Sequence, residues 1–175
     1  MTIRTVYVYA SISGTIGSTG NGYYCSGGTH SPCNSTHSKC VDIIGSGTIK
    51  LIVNYPYVRS FYTTITYECA PGCADKYRRL LTLDLYGDTN QTCYVGTVAY
   101  GHVDTPYVTN GSVGILTSGT YSIGTVPSGS CGTWYTGPHS HMEMAGGTLM
   151  SLSCNQTVGS STAIYSFRYD DIYCS

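Results

Sequence analysis

The chain has 175 residues, a length that suits a single domain, 1–175, with a real hydrophobic core. Only 10% of the residues are charged and the net charge is −1, so the thinly spread cations argue against nucleic acid or an anionic membrane as partner. No apolar run approaches the roughly 20 residues of a membrane span, and Met1-Thr-Ile-Arg runs into alternating Val6-Tyr-Val-Tyr without the apolar stretch of a signal peptide.

In chain order, alternating patterns predict strands at 4–11, 48–54, 61–68, 80–86, 93–102, 121–126, 139–144, 148–154 and 163–169. Leu81, Leu83 and Leu85 share one face of the fourth of these. The stretch from Gly14 to Cys40 is the least regular and reads as a cysteine-stapled loop. Helix signals are nearly absent, and Ala74 to Leu81 offers at most one turn before a strand. Short punctuating turns such as Gly45-Ser-Gly and Val126-Pro-Ser-Gly complete an antiparallel all-β pattern, a sandwich or a partly closed barrel.

Nine cysteines without any C-x2-C pair point to disulfides in an oxidising compartment, not to a thiolate zinc site. Cys69-Ala-Pro-Gly-Cys73 surrounds a turn and suits a local bridge; the other pairings are undetermined, and the odd count leaves one thiol over. Four sequons, at Asn34, Asn90, Asn110 and Asn155, agree with secretion, so an extracellular location is expected.

Gly137-Pro-His139-Ser-His141-Met-Glu143 carries the chemistry-bearing pair. On a strand, residues i and i+2 face the same way, so His139 and His141 aim into one pocket. His102 ends a strand in Tyr100-Gly-His102-Val, and His37 lies five residues before Asp42. Two imidazoles and a carboxylate around an open position form a catalytic zinc set, and this chain can supply them without an H-E-x-x-H helix. Glu143 has the parity of the His pair and reads as a rim carboxylate or a partner of a ligand. Trp134-Tyr135 suits either a substrate groove or the core, and His30 reads as structural.

Taken in order, five segments carry a resemblance. They are Thr29-His-Ser-Pro, His37 through Asp42-Ile43, Tyr100-Gly-His102-Val, the glycine-punctuated run from Val108 to Gly124, and Tyr135-Thr-Gly-Pro-His139-Ser-His141-Met-Glu143. Together, over about residues 29 to 144, they resemble the lysostaphin/LytM-type zinc metalloendopeptidases, which include beta-lytic protease. The resemblance implies a β-sandwich of LytM type with disulfide-stapled loops, and one zinc per chain held by His37, Asp42 and His141. It implies His102 and His139 as the non-ligand catalytic pair. It further implies a secreted monomer that cleaves peptide bonds in peptidoglycan cross-bridges or stem peptides. A catalytically inactive LytM-like module, binding cell wall or serving a structural role, is the alternative. One departure stands out: four residues separate His37 from Asp42 where the family has three.

Overall fold

The structure, a computed structural model, describes residues 2–19, 23–24 and 39–174. Its strands in chain order are β1 (Ile3–Tyr9), β2 (Gly14–Thr19), β3 (Tyr23–Tyr24), β4 (Lys39–Ile44), β5 (Thr48–Ile52), β6 (Ser60–Tyr67), β7 (Arg79–Tyr86) and β8 (Tyr94–Gly101). They continue as β9 (Val113–Ile115), β10 (Thr120–Thr125), β11 (His139–Ala145), β12 (Thr148–Leu149), β13 (Thr157–Val158) and β14 (Ala163–Asp170). A single helical turn, α1 (Asp75–Arg78), leads directly into β7, as the Ala74–Leu81 pattern predicts.

The described strands form a long antiparallel sheet in the order β13-β2-β4-β11-β8-β7-β6-β9, with β3 beside β2. A smaller sheet, β1-β14-β12, and the pair β10-β5 complete the fold. One face of the long sheet is apolar: Val41 and Ile43 on β4, Met142 and Met144 on β11, Val98 and Tyr100 on β8, and Leu81, Leu83 and Leu85 on β7. These pack into one core with Val6 and Val8 of β1, Ile49 and Leu51 of β5, Ile123 of β10 and Phe167 of β14. The approach is close where β14 crosses β8: a Cβ at Gly96 would lie 2.3 Å from the Phe167 ring. Period-two alternation therefore delivers the expected antiparallel all-β architecture, with one side of the longer strands in the core. The opposite face of β4, β11 and β8 carries Asp42, His139, His141 and Glu143.

Three expectations are corrected. Gly14 to Cys40 is not wholly irregular, since Gly14–Thr19 forms β2 and Lys39 and Cys40 open β4. The glycines of β2 give clearance to β4. A Cβ at Gly14 would lie 2.0 Å from the Ile44 carbonyl oxygen, and one at Gly17 would lie 2.7 Å from the Ile44 side chain. The strand expected over 148–154 stops at Leu149. Beyond it the backbone is diverted to the edge of β2, where Asn155 N–H donates to Ile16 C=O and Ile16 N–H donates to Gln156 C=O. The local Cys69–Cys73 bridge does not form. Cys73 pairs with Cys131, and Cys93 pairs with Cys174. Cys69 and Cys154 are disulfide-bonded as well. The turn closed by Cys73 N–H to Ala70 C=O brings Cys73 toward the Cys131–Tyr135 turn instead of back onto Cys69. Among the described residues no helix is long and apolar enough to cross a membrane.

Candidate active site

Strand register builds the centre. β11 lies between β4 and β8, with His141 directly opposite Asp42 on one side and Gly101 on the other. Directly opposed residues in an antiparallel pair share a face with their Cβ atoms about 5 Å apart, which brings the Asp42 carboxylate onto the His141 ring. His141 Nδ1 and Asp42 Oδ1 are 2.7 Å apart, and His141 Nε2 is 2.7 Å from Glu143 Oε1. All three groups are buried, with His141 at 1% exposure and Glu143 at 0%. With both carboxylates ionised each ring nitrogen donates, and His141 is then an imidazolium. Burial by itself depresses its pKa, but the hydrogen bonds to Asp42 and Glu143 outweigh burial and hold it well above the ordinary value.

His139 and His102 complete the cluster. His139 Nδ1–H donates to the Gly137 carbonyl at 2.8 Å, which makes Nε2 the acceptor of the ring; Nε2 lies 3.9 Å from Asp42 Oδ1. The His139 ring stacks on Tyr135 with centroids 4.7 Å apart, while its backbone N–H donates to the Tyr135 hydroxyl at 3.2 Å. His102 follows the last residue of β8 with φ +55, a left-handed conformation uncommon outside glycine. That bend turns its ring back over the sheet, where its centroid is 4.7 Å from His139 and 5.7 Å from His141. His102 Nδ1–H donates to the Tyr77 carbonyl at 2.6 Å, so its lone pair is also on Nε2. Burial, followed by the neighbouring His139 and His141, pushes the His102 pKa down to about 3. His102 is thus a neutral base at any physiological pH.

Aromatic side chains wall this cluster. Trp134 Nε1–H donates to the same Tyr77 carbonyl at 2.8 Å, and its ring lies 5.9 Å from His102. Tyr135, fully buried, donates its hydroxyl to the Pro127 carbonyl and sits 5.0 Å from the Tyr77 ring. The Cys73–Cys131 bond joins the turn before α1 to the turn that carries Trp134 and Tyr135. Of the Trp134-Tyr135 pair, then, Tyr135 belongs to the buried wall, and Trp134 remains half-buried at its rim.

Four of the five site residues read from the sequence converge: Asp42, His102, His139 and His141. His37 and His30 lie outside the described residues. Two contributors were not legible as such, Gly101 and the Tyr77 carbonyl. Of these only Gly101 has a local signal, as the small residue between Tyr100 and His102 on the strand that flanks the His pair.

Whether zinc suits this centre turns on its donors. Asp42 Oδ1 and His141 Nδ1 are an oxygen and a nitrogen of the kinds zinc takes, and Glu143 on Nε2 is the carboxylate partner that metal-binding imidazoles have. Their 2.7 Å spacing is a hydrogen bond, whereas two ligands of one tetrahedral zinc stand roughly 3.3 Å apart. The pair fits an ion once the Nδ1 proton leaves and the side chains part by about half an ångström. No group of three or more His, Cys, Asp or Glu stands ready to hold a metal among the described residues. The resemblance puts a third ligand at His37, which lies outside the described residues. Comparison of the chain with protein-family models, with curated proteins and with solved structures found no match.

Proposed function

We propose that the chain is a secreted zinc metalloendopeptidase of LytM type that hydrolyses peptide bonds in peptidoglycan cross-bridges or stem peptides. The observation that carries this reading is the buried line Asp42–His141–Glu143 with two further imidazoles beside it. Asp42 Oδ1, His141 Nδ1 and His37 would hold the ion. When bound, zinc supplies a water acidified to near neutrality and a Lewis acid for the scissile carbonyl. Glu143 fixes the tautomer of His141, presenting Nδ1 to the ion. His139 Nε2, 3.9 Å from Asp42 Oδ1, is the acceptor placed to take the proton of an attacking water and return it to the leaving amine. His102 keeps a neutral ring against His139 and excludes a second positive charge from the pocket. The disulfides agree with a secreted protein that works outside the cell.

One observation favours a second reading, a metal-free cell-wall-binding or structural module: both nitrogens of His141 are satisfied by carboxylates without any ion. Measuring the zinc content of the purified chain, and the clearing of cell-wall suspensions with and without chelator, separates the two. One zinc per chain with chelator-sensitive clearing supports the peptidase. A chain that stays free of zinc after loading supports the module.

A further inference from the structure

The two turns joined by Cys73–Cys131 border an open cleft of about 420 Å³ lined by Ala70, Pro71, Gly72, Gly132, Thr133 and Trp134 around the disulfide. That volume falls within the range of small-ligand sites. None of its described lining residues carries a charge, and Thr133 is the one with a side-chain hydroxyl. Gly72 and Gly132 both adopt left-handed conformations, and a Cβ added at either would meet nothing within 4 Å, so the walls there are bare backbone facing open space. Trp134 connects the cleft to the site, because its indole lines the cleft while its Nε1–H shares the Tyr77 carbonyl with His102.

We propose that this cleft is a substrate subsite that receives an uncharged, aliphatic residue of the peptide next to the cleaved bond. The proposal rests on the peptidase reading and adds the side-chain class it selects. Apolar surface from Ala70, Pro71 and the indole rewards burial of an aliphatic side chain. A charged side chain would be desolvated there without a countercharge. The exposed backbone at the two glycines leaves room for the main chain of the substrate to approach.

Trp134 is the single tryptophan of the chain, so its emission reports on the cleft directly and without any need for turnover. The experiment titrates capped Gly-Leu-Gly, Gly-Asp-Gly and Gly-Lys-Gly peptides into the intact protein and into Thr133→Arg, whose side chain is exposed at the rim. Saturable change in emission is expected with the Leu peptide, at least tenfold weaker binding with the Asp and Lys peptides, and loss of the Leu response in Thr133→Arg. Equal affinities for the three peptides, no saturable response, or an unchanged response in Thr133→Arg would each overturn the subsite. If the Leu peptide binds as expected but no peptide is ever hydrolysed by the zinc-loaded chain, the subsite stands as a binding site and the peptidase reading fails.

Discussion

Gly101 and His141 face each other across β8 and β11, and a Cβ at Gly101 would lie 2.9 Å from His141 Cδ2. The imidazole can yield only by straining one of its two hydrogen bonds, because both of its nitrogens are held by buried carboxylates. Gly101→Ala is therefore expected to tilt the ring off Asp42. Zinc affinity should fall by about 10–100-fold, as when a partner of a metal-binding residue is lost, and stability by about 1–3 kcal/mol from overpacking. Chelator competition and urea unfolding measure the two effects; unchanged zinc affinity would show that the ring position is not critical.

His141 and His139 share a strand face but have different partners, so their replacements should separate. His141→Gln is expected to abolish zinc binding. His139→Ala should keep the metal and lose about 10²–10⁴-fold in kcat, the usual contribution of a general base. Zinc content and turnover of a glycine-rich peptide, measured on the same preparations, test this. Loss of zinc in both variants, or in neither, refutes the division of roles.

Glu143 sits at 0% exposure against His141 Nε2 and is expected to act through that ring. Glu143→Gln keeps an acceptor but removes the charge, and should weaken zinc binding by about 10–100-fold with little change in kcat at saturating metal. Glu143→Ala leaves a buried donor without its acceptor and should cost about 1–3 kcal/mol or more in stability. Identical zinc affinity in wild type and Glu143→Gln would make Glu143 a purely structural residue.

His102 predicts a slope in acid. Its folded pKa, about 3, lies below the unfolded value near 6.5. The unfolded chain then binds the extra proton between pH 6.5 and 3, so stability is complete above that window and falls as pH drops through it. This one group contributes at most about 1.4 kcal/mol per pH unit. His102→Asn, which tolerates the left-handed backbone, should lose that share of the slope. Urea unfolding of both proteins from pH 4 to 6 makes the comparison, and parallel curves would contradict it.

The strand pattern was legible because period-two alternation follows from one-sided burial, and it located β1, β5 to β8, β10, β11 and β14 with small boundary shifts. β2 was hidden because Gly14 and Gly17 look like turn residues, although they serve close strand approach to Ile44. Asp42 lies within β4, which pairs with β2 on one side and β11 on the other. The pairing of Asp42 with His141 spans 99 residues and depends on register, which no local pattern encodes. The i, i+2 relationship of His139, His141 and Glu143 was readable since it needs only a strand. The Tyr77 carbonyl could not be anticipated, because any residue type supplies one.

In the proposed peptidase a metal ion would replace the proton between Asp42 and His141. The hydrogen bonds to Asp42 and Glu143 favour the protonated His141 ring and raise its pKa above the ordinary value. Zinc binding should release at least one proton, and affinity should rise about tenfold per pH unit while that proton is still bound. Calorimetric titration at pH 7 in two buffers of different ionisation enthalpy measures stoichiometry and proton release together. One zinc per chain with at least one proton released is expected, and neither in His141→Gln; a chain that takes up no zinc, or takes it up equally well in His141→Gln, would refute the metal site.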